Sequence, residues 1–147
     1  MNHRKPSEFK ILRSIASGII PIILLYGAYI AINGHLAPGG GFAGGTIIGV
    51  AFILFNIAFG SERSDKFITF NGCVKAISVS LLVYLILKGT TFFMGANGLE
   101  PIIPLGTPGN ILSSGLILVL NICIAVIVAT TMYMLYSLFS HWGGRND

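Results

Sequence analysis

The chain has 147 residues, of which 54% are hydrophobic and 10% charged, and its mean hydropathy is +0.83. A soluble domain usually carries about 25% charged residues to cover its surface. Nine basic and five acidic residues are too few for that, so the composition excludes a water-soluble globule and indicates an integral membrane protein. A spanning helix takes about 20 apolar residues, so this length holds at most about five or six spans.

The cysteines and the net charge exclude further classes. Cys73 and Cys123 lie in apolar surroundings, without a Cys-x-x-Cys pair or a Cys/His cluster, so we expect no metal site, no disulfide framework and no cofactor. The net charge of +4 does not indicate a nucleic-acid partner, because the basic residues lie at the edges of apolar segments and form no face. No nucleophile–base pair of recognisable spacing predicts catalysis by the chain.

Four long apolar segments follow a basic tail. We predict an all-α integral membrane protein with a single membrane domain, residues 1–147, and spanning helices at about residues 15–33, 42–60, 71–94 and 114–139. The first segment is too long for a signal-peptide core, so we expect an uncleaved span with a kink at Pro21. We expect the charged segment SERSDK, residues 61–66, to be a loop.

The distribution of lysine and arginine predicts the orientation. Four of these residues lie in the first thirteen, two in residues 61–66 and one in the C-terminal tail, whereas the loops near His35 and Glu100 contain none. We therefore expect four helices with both termini cytoplasmic. An interfacial aromatic belt is expected at the end of the fourth span, formed by Tyr133, Tyr136, Phe139 and Trp142.

The densest motif is GHLAPGGGFAGG at residues 34–45. It contains a formal GxGxxG, but it lies between two membrane spans instead of after a strand, so we exclude nucleotide binding. Pro38 and the three glycines after it predict a tight turn in which several residues need positive φ.

Gly41, Gly45 and Gly49 recur at four-residue spacing and share one helical face. Such a ridge of small residues lets another helix approach closely. The alternative is that exposed backbone groups of this segment line a hydrated ion path.

The motif, with PLGTPG at residues 104–109 and Ser114-Gly115, resembles the MnhB/MrpB family, whose members are small subunits of Mrp-type multisubunit sodium/proton antiporters. The resemblance covers about residues 34–121. It implies an accessory subunit in a prokaryotic cytoplasmic membrane, with other integral membrane subunits and the lipid bilayer as partners. The residues that carry the resemblance within the motif are His35, Pro38, Gly39, Gly40, Gly41, Phe42, Gly44 and Gly45.

Other settings remain open for such a subunit. Relatives also occur in the ion-pumping membrane arms of energy-converting hydrogenases, and a purely structural scaffold is a further alternative. A stand-alone transporter is disfavoured, because no Asp or Glu falls inside a predicted span and membrane ion sites generally use buried carboxylates or converging carbonyls. Within the parent complex, we expect the glycine ridge to pack against partner helices.

Three residues are candidates for an ion pathway. His35 is the one titratable side chain of the first outer loop and titrates in the range of physiological pH. Lys88 lies within the third span, where it is either a pathway residue or an anchor that snorkels to the membrane surface. For Lys75, in the same span, we favour the snorkelling anchor. Asn121 lies in the fourth span, near a position where some relatives carry an acidic residue. We expect Asn121, like Asn56, to form a hydrogen bond with another helix.

Overall fold

The computed structural model describes residues 6–34, 39–99 and 115–143. These residues are all-helical apart from short turns, and they form α1 (Pro6–Ile32), α2 (Gly40–Phe59), α3 (Ser61–Phe67), α4 (Phe70–Ala96) and α5 (Gly115–Gly143). Four of the helices are long and apolar enough to cross a membrane, which confirms the predicted number of spanning helices. A single helix runs through Pro21; the kink there stays a prediction.

The glycine contacts establish how the helices are arranged. α2 packs against α1 on one side and against α5 on the other, and α4 packs against α5. Gly41 faces Asn121 and Gly45 faces Ala125, so α2 and α5 run parallel. Gly44 faces Ala31 near the end of α1, so α1 and α2 run antiparallel.

The two ends of this helix layer differ in composition. At one end, Arg13 Nε donates a hydrogen bond to the carbonyl oxygen of Ala58 at 3.1 Å, and Ser64 Oγ lies 2.8 Å from Tyr133 Oη. The first part of α1, the whole of α3 and the later part of α5 therefore meet there. We call it the basic end, because it holds Arg13 and the basic residues of α3. The opposite end, with Gly34, residues 39–41 and Asn121, is the glycine end.

Residues 61–66 form helix α3, so the expectation of a loop was wrong. Gly60, with φ of +89°, separates α3 from α2, and Glu62 in the first turn and Lys66 in the last suit the dipole of a helix. Ser64 is fully buried and bonded to Tyr133. The tertiary contact of one small side chain thus stabilises a short helix in a charged segment.

Tyr133 is not part of an interfacial belt, which corrects that prediction. Its side chain is only 2% exposed. Its hydroxyl group accepts a hydrogen bond from Asn56 Nδ2 at 3.3 Å and pairs with Ser64 Oγ. The hydrogen bond from Asn56 to Tyr133 confirms the prediction that Asn56 forms a hydrogen bond with another helix. Phe139 is exposed, as a belt residue would be, while the side chain of Trp142 lies outside the described residues.

Candidate functional site

Two residues of the glycine-rich turn have the positive φ that the sequence predicts. Gly39 has φ of +100° and Gly40 φ of +39°, values that residues with a Cβ rarely adopt. Gly41 already belongs to the regular part of α2. Residues 35–38, which include His35 and Pro38, lie outside the described residues.

Gly44 lies on the α1 side of α2. A Cβ built at this position would lie 2.7 Å from both the Gly27 carbonyl oxygen and the Ala31 nitrogen, too close for any side chain. A Cβ at Gly27 would in turn lie 3.1 Å from the Gly44 carbonyl oxygen. The backbones of α1 and α2 therefore touch at this pair, which requires glycine at position 44 and leaves little room for a Cβ at position 27.

Gly41, Gly45 and Gly49 face α5 of the same chain. A Cβ at Gly45 would lie 2.6 Å from the Ala125 carbonyl oxygen, and one at Gly49 would lie 3.2 Å from the Ala129 carbonyl oxygen. Gly41 packs against the backbone of Asn121. The ridge does accept a neighbouring helix, but that helix is α5, so the expectation that it packs against partner subunits is corrected. The spacing identifies the face that is approached, not the chain that approaches it.

Phe42 lies on a third face of α2. It is 64% exposed, although its motif neighbours Gly41 and Gly44 are buried. Its ring therefore faces outward from the chain, where lipid or another subunit would contact it.

Asn121 occupies the glycine end. Its Nδ2 atom is buried and has no hydrogen-bond partner among the described residues, so this donor does not form the expected bond to another helix. A Cβ at Gly34 would lie 2.7 Å from Nδ2, and one at Gly40 would lie 3.3 Å from Oδ1. The amide fits there only because these neighbours are glycines. An unpaired buried donor typically costs about 1–3 kcal/mol.

Lys88 lies on α4 and is exposed. Helix α4 continues for eight residues beyond it, to Ala96, which is about 12 Å at 1.5 Å per residue. No side-chain hydrogen bond of the described residues involves Lys88, and Asn121 Nδ2 has no partner among them. The described residues also contain no group of three or more His, Cys, Asp or Glu side chains that could hold a metal ion.

The buried polar cluster at the basic end was not predicted from the sequence. Asn56, Ser64 and Tyr133 come from three different helices and share one hydroxyl group. The available signal was weak: an asparagine and a tyrosine in apolar segments, and a serine in a charged one. Their meeting depends on tertiary contacts more than sixty residues apart.

The four long apolar helices and the backbone contacts of α2 with α1 and α5 are those of a multi-pass membrane protein. Residues 11–134 match the family described as "Domain related to MnhB subunit of Na+/H+ antiporter". The chain belongs to this family, which confirms the resemblance found in the sequence.

Two relatives illustrate the range of the family. An uncharacterised protein of Methanocaldococcus jannaschii is 33% identical over 125 residues, covering 79% of this chain and 46% of that protein. A Staphylococcus aureus (strain Newman) protein named "Putative antiporter subunit mnhB2" is 44% identical over 53 residues, covering 36% of this chain and 38% of that protein. The chain thus spans less than half of the length of the curated relatives that it matches.

Proposed function

We propose that the chain is an accessory membrane subunit of a multisubunit sodium (cation)/proton antiporter of the Mrp type, in the cytoplasmic membrane of a prokaryote. The observation that carries this proposal is the family match over residues 11–134. The antiporter name of the Staphylococcus aureus relative and the four apolar helices support it.

The proposed topology is a single membrane domain with the basic end in the cytoplasm. It is supported by the position of Lys10, Arg13, Arg63 and Lys66 at that end of the layer, since cytoplasmic segments carry the excess of lysine and arginine.

Cysteine labelling tests the topology. In a background without the two native cysteines, an impermeant thiol reagent added outside intact cells should label Leu99→Cys and leave Glu62→Cys unlabelled until the membrane is permeabilised. Both positions are exposed, so burial does not protect either. Labelling of Glu62→Cys from outside would reverse the orientation.

Helix α4 is the surface that we assign to the partner subunits. Only Cys73 is buried along its length, and its apolar side chains, such as Val79 and Leu85, are exposed within the chain. The ridge of α2, by contrast, is already covered by α5.

The ion pathway that we propose uses residues of this chain together with carboxylates of other subunits. Asn121 offers an unpaired amide at the glycine end, and His35 follows Gly34 in the same segment of the chain. Lys88 would pair with a carboxylate of a partner subunit, because an exposed charge within a span is otherwise costly. No Asp or Glu lies in the predicted spans of this chain.

Purification in mild detergent from the native membrane tests the assignment. We expect other integral membrane subunits of an antiporter to co-purify, and the reconstituted assembly to acidify or alkalise the vesicle lumen when a sodium gradient is imposed. The isolated chain should not move protons in response to a sodium gradient. Co-purification with iron–sulfur or nickel centres would instead identify a hydrogenase-type complex, and sodium-driven proton movement by the isolated chain would overturn the accessory role.

His35 has a separate test, since it is proposed only from its type and position. His35→Ala should leave the yield of the assembly unchanged and shift the pH dependence of antiport, because imidazole titrates near pH 6.5. Loss of assembly would show instead that the side chain holds the turn.

A further inference from the structure

An apolar cleft opens between α1, α2 and α3 near the basic end, with a volume of about 470 Å³. Leu24 of α1, Phe55 and Phe59 of α2 and Phe67 of α3 line it. Phe55 stacks on Phe59 with ring centroids 4.9 Å apart and meets Phe67 edge-on at 6.0 Å. The rings hold one another in place, so the cleft has a defined aromatic wall.

A second, polar cleft of about 340 Å³ continues from the first. The two share Phe59 and Arg63, and the polar one is also lined by Arg13, Glu62 and Lys66. Three basic groups and one carboxylate thus line the mouth of an apolar groove. This is the charge pattern that an amphiphile with an anionic head would complement.

Arg13 is fixed at this mouth by its own hydrogen bond. Its Nε donates to the carbonyl oxygen of Ala58 at 3.1 Å, next to the last residue of α2. The bond satisfies a carbonyl at a helix C-terminus, where positive charge is favourable. Among the described residues, the Ala58 carbonyl oxygen is the one hydrogen-bond partner of this guanidinium, and a planar guanidinium suits the oxygens of a phosphate.

We propose that the two clefts together bind one anionic glycerophospholipid. An acyl chain lies in the apolar cleft against Phe55, Phe59 and Phe67, and the phosphate lies among Arg13, Arg63 and Lys66. Basic pockets between spanning helices on the cytoplasmic side of a membrane are typical sites for such headgroups. The site lies at the opposite end of the layer from Asn121, and its cytoplasmic position rests on the topology proposed above.

Native mass spectrometry of the full-length chain, purified with whatever subunits accompany it, tests the proposal. The probes are phosphatidylglycerol and phosphatidylcholine with the same acyl chains. We expect the protein to retain one phosphatidylglycerol molecule. The phosphatidylglycerol concentration needed for this should be about tenfold lower than the phosphatidylcholine concentration needed for the same retention. Equal retention of the two lipids would overturn the proposal, as would absence of bound lipid from the assembled complex, which would show that a partner subunit fills the groove.

Charge variants test the headgroup. Arg63→Gln should weaken phosphatidylglycerol binding about fivefold and leave phosphatidylcholine unchanged, since each basic residue near the surface contributes to anionic-lipid attraction. Lys10→Gln removes the same charge at the same end but from outside the cleft, and it should have no effect on retention. Equal effects of the two variants would show a general surface attraction and overturn a defined site.

Filling the groove tests the acyl chain. Leu24→Trp introduces bulk into the cleft and should abolish retention of the lipid, whereas Leu25→Trp, at an outward-facing position of the same helix, should not. Circular dichroism and gel filtration confirm that both variants fold. Normal retention by a folded Leu24→Trp variant would overturn the site.

Discussion

Helices α2 and α4 are both apolar and similar in length to a membrane span, yet they are used in opposite ways. Within the chain, 33% of the apolar segment of α2 is buried, against 6% of the segment that includes α4. α2 achieves this with glycines that touch the backbones of α1 and α5. α4 instead exposes branched and aromatic side chains.

The difference shows which helix packs within the chain and which one leaves its surface for contacts outside the chain. In lipid there is no hydrophobic drive between helices, so association depends on close packing and hydrogen bonds. α2 obtains both within the chain, from its glycines and from Asn56. α4 obtains little of either among the described residues. Changes in α2 should therefore affect folding of the chain, and changes in α4 should affect assembly and transport.

Gly45→Leu should have the largest effect on folding. The first side-chain carbon alone would lie 2.6 Å from the Ala125 carbonyl oxygen and 2.9 Å from the Ala125 Cα. Both are backbone atoms, so α2 and α5 would have to move apart. We expect a loss of about 3 kcal/mol or more, at the upper end of usual overpacking costs. The measurement is the free energy of unfolding in mixed detergent micelles, with the yield of monodisperse protein.

Gly89→Leu on α4 is the matched control for that change. A Cβ at Gly89 meets no atom within 4 Å, so the isolated chain should keep its stability. A stable chain that no longer assembles would place a partner at this part of α4. If Gly45→Leu and Gly89→Leu proved equally harmless to folding, the contrast between the two helices would be wrong.

Tyr133→Phe should have the next largest effect. It removes the hydroxyl group that serves both Ser64 and Asn56 and leaves their polar atoms buried. We expect a loss of about 1–2 kcal/mol in the free energy of unfolding. Tyr136→Phe is the control, because the Tyr136 hydroxyl makes none of the hydrogen bonds described for this structure. Equal losses from both changes would indicate a general effect of the hydroxyl on solvation.

Hydropathy and glycine spacing predicted much of this fold, for identifiable reasons. Each spanning helix has its own continuous apolar segment, so the number of spans is a local property. The spacing of Gly41, Gly45 and Gly49 is local too, and it indicated the face that packs closely. The identity of the packing helix was not predictable, because α5 begins more than 70 residues after Gly41 and carries no complementary motif beyond two alanines.

The two asparagines show why the candidate site was harder to predict than the fold. Asn56 and Asn121 are the same residue type in similar apolar segments, and the same bond to another helix was expected of both. Asn56 Nδ2 donates a hydrogen bond to Tyr133, while Asn121 Nδ2 lies against glycines that have no side-chain acceptor. Whether a polar group is paired depends on the neighbouring helix, which one segment of sequence does not specify.

Asn121→Leu sharpens this contrast. Replacing an unpaired buried amide with an apolar group of similar size should not lower the free energy of unfolding, because the change removes the cost of the unpaired donor. Asn56→Leu removes the hydrogen bond that Asn56 Nδ2 donates to the Tyr133 hydroxyl and should destabilise the chain. In everted vesicles, Asn121→Leu should lower sodium-dependent antiport at normal subunit yield. Unchanged antiport would remove Asn121 from the proposed pathway.

Lys88→Met should have the smallest effect on folding, because the change is at an exposed position of the least buried spanning helix, where substitutions usually shift stability by less than about 0.5 kcal/mol. Methionine keeps a long, unbranched side chain and removes only the charge. If Lys88 pairs with a carboxylate of a partner subunit, antiport should fall about tenfold, equivalent to about 1.4 kcal/mol, while the subunits still co-purify. Lys75→Met on the same helix is the control, since Lys75 lies nearer the start of α4 and can reach the membrane surface by snorkelling. Antiport that is normal in both variants would reduce Lys88 to a second interfacial anchor, and α4 would then contribute only its apolar surface to the assembly.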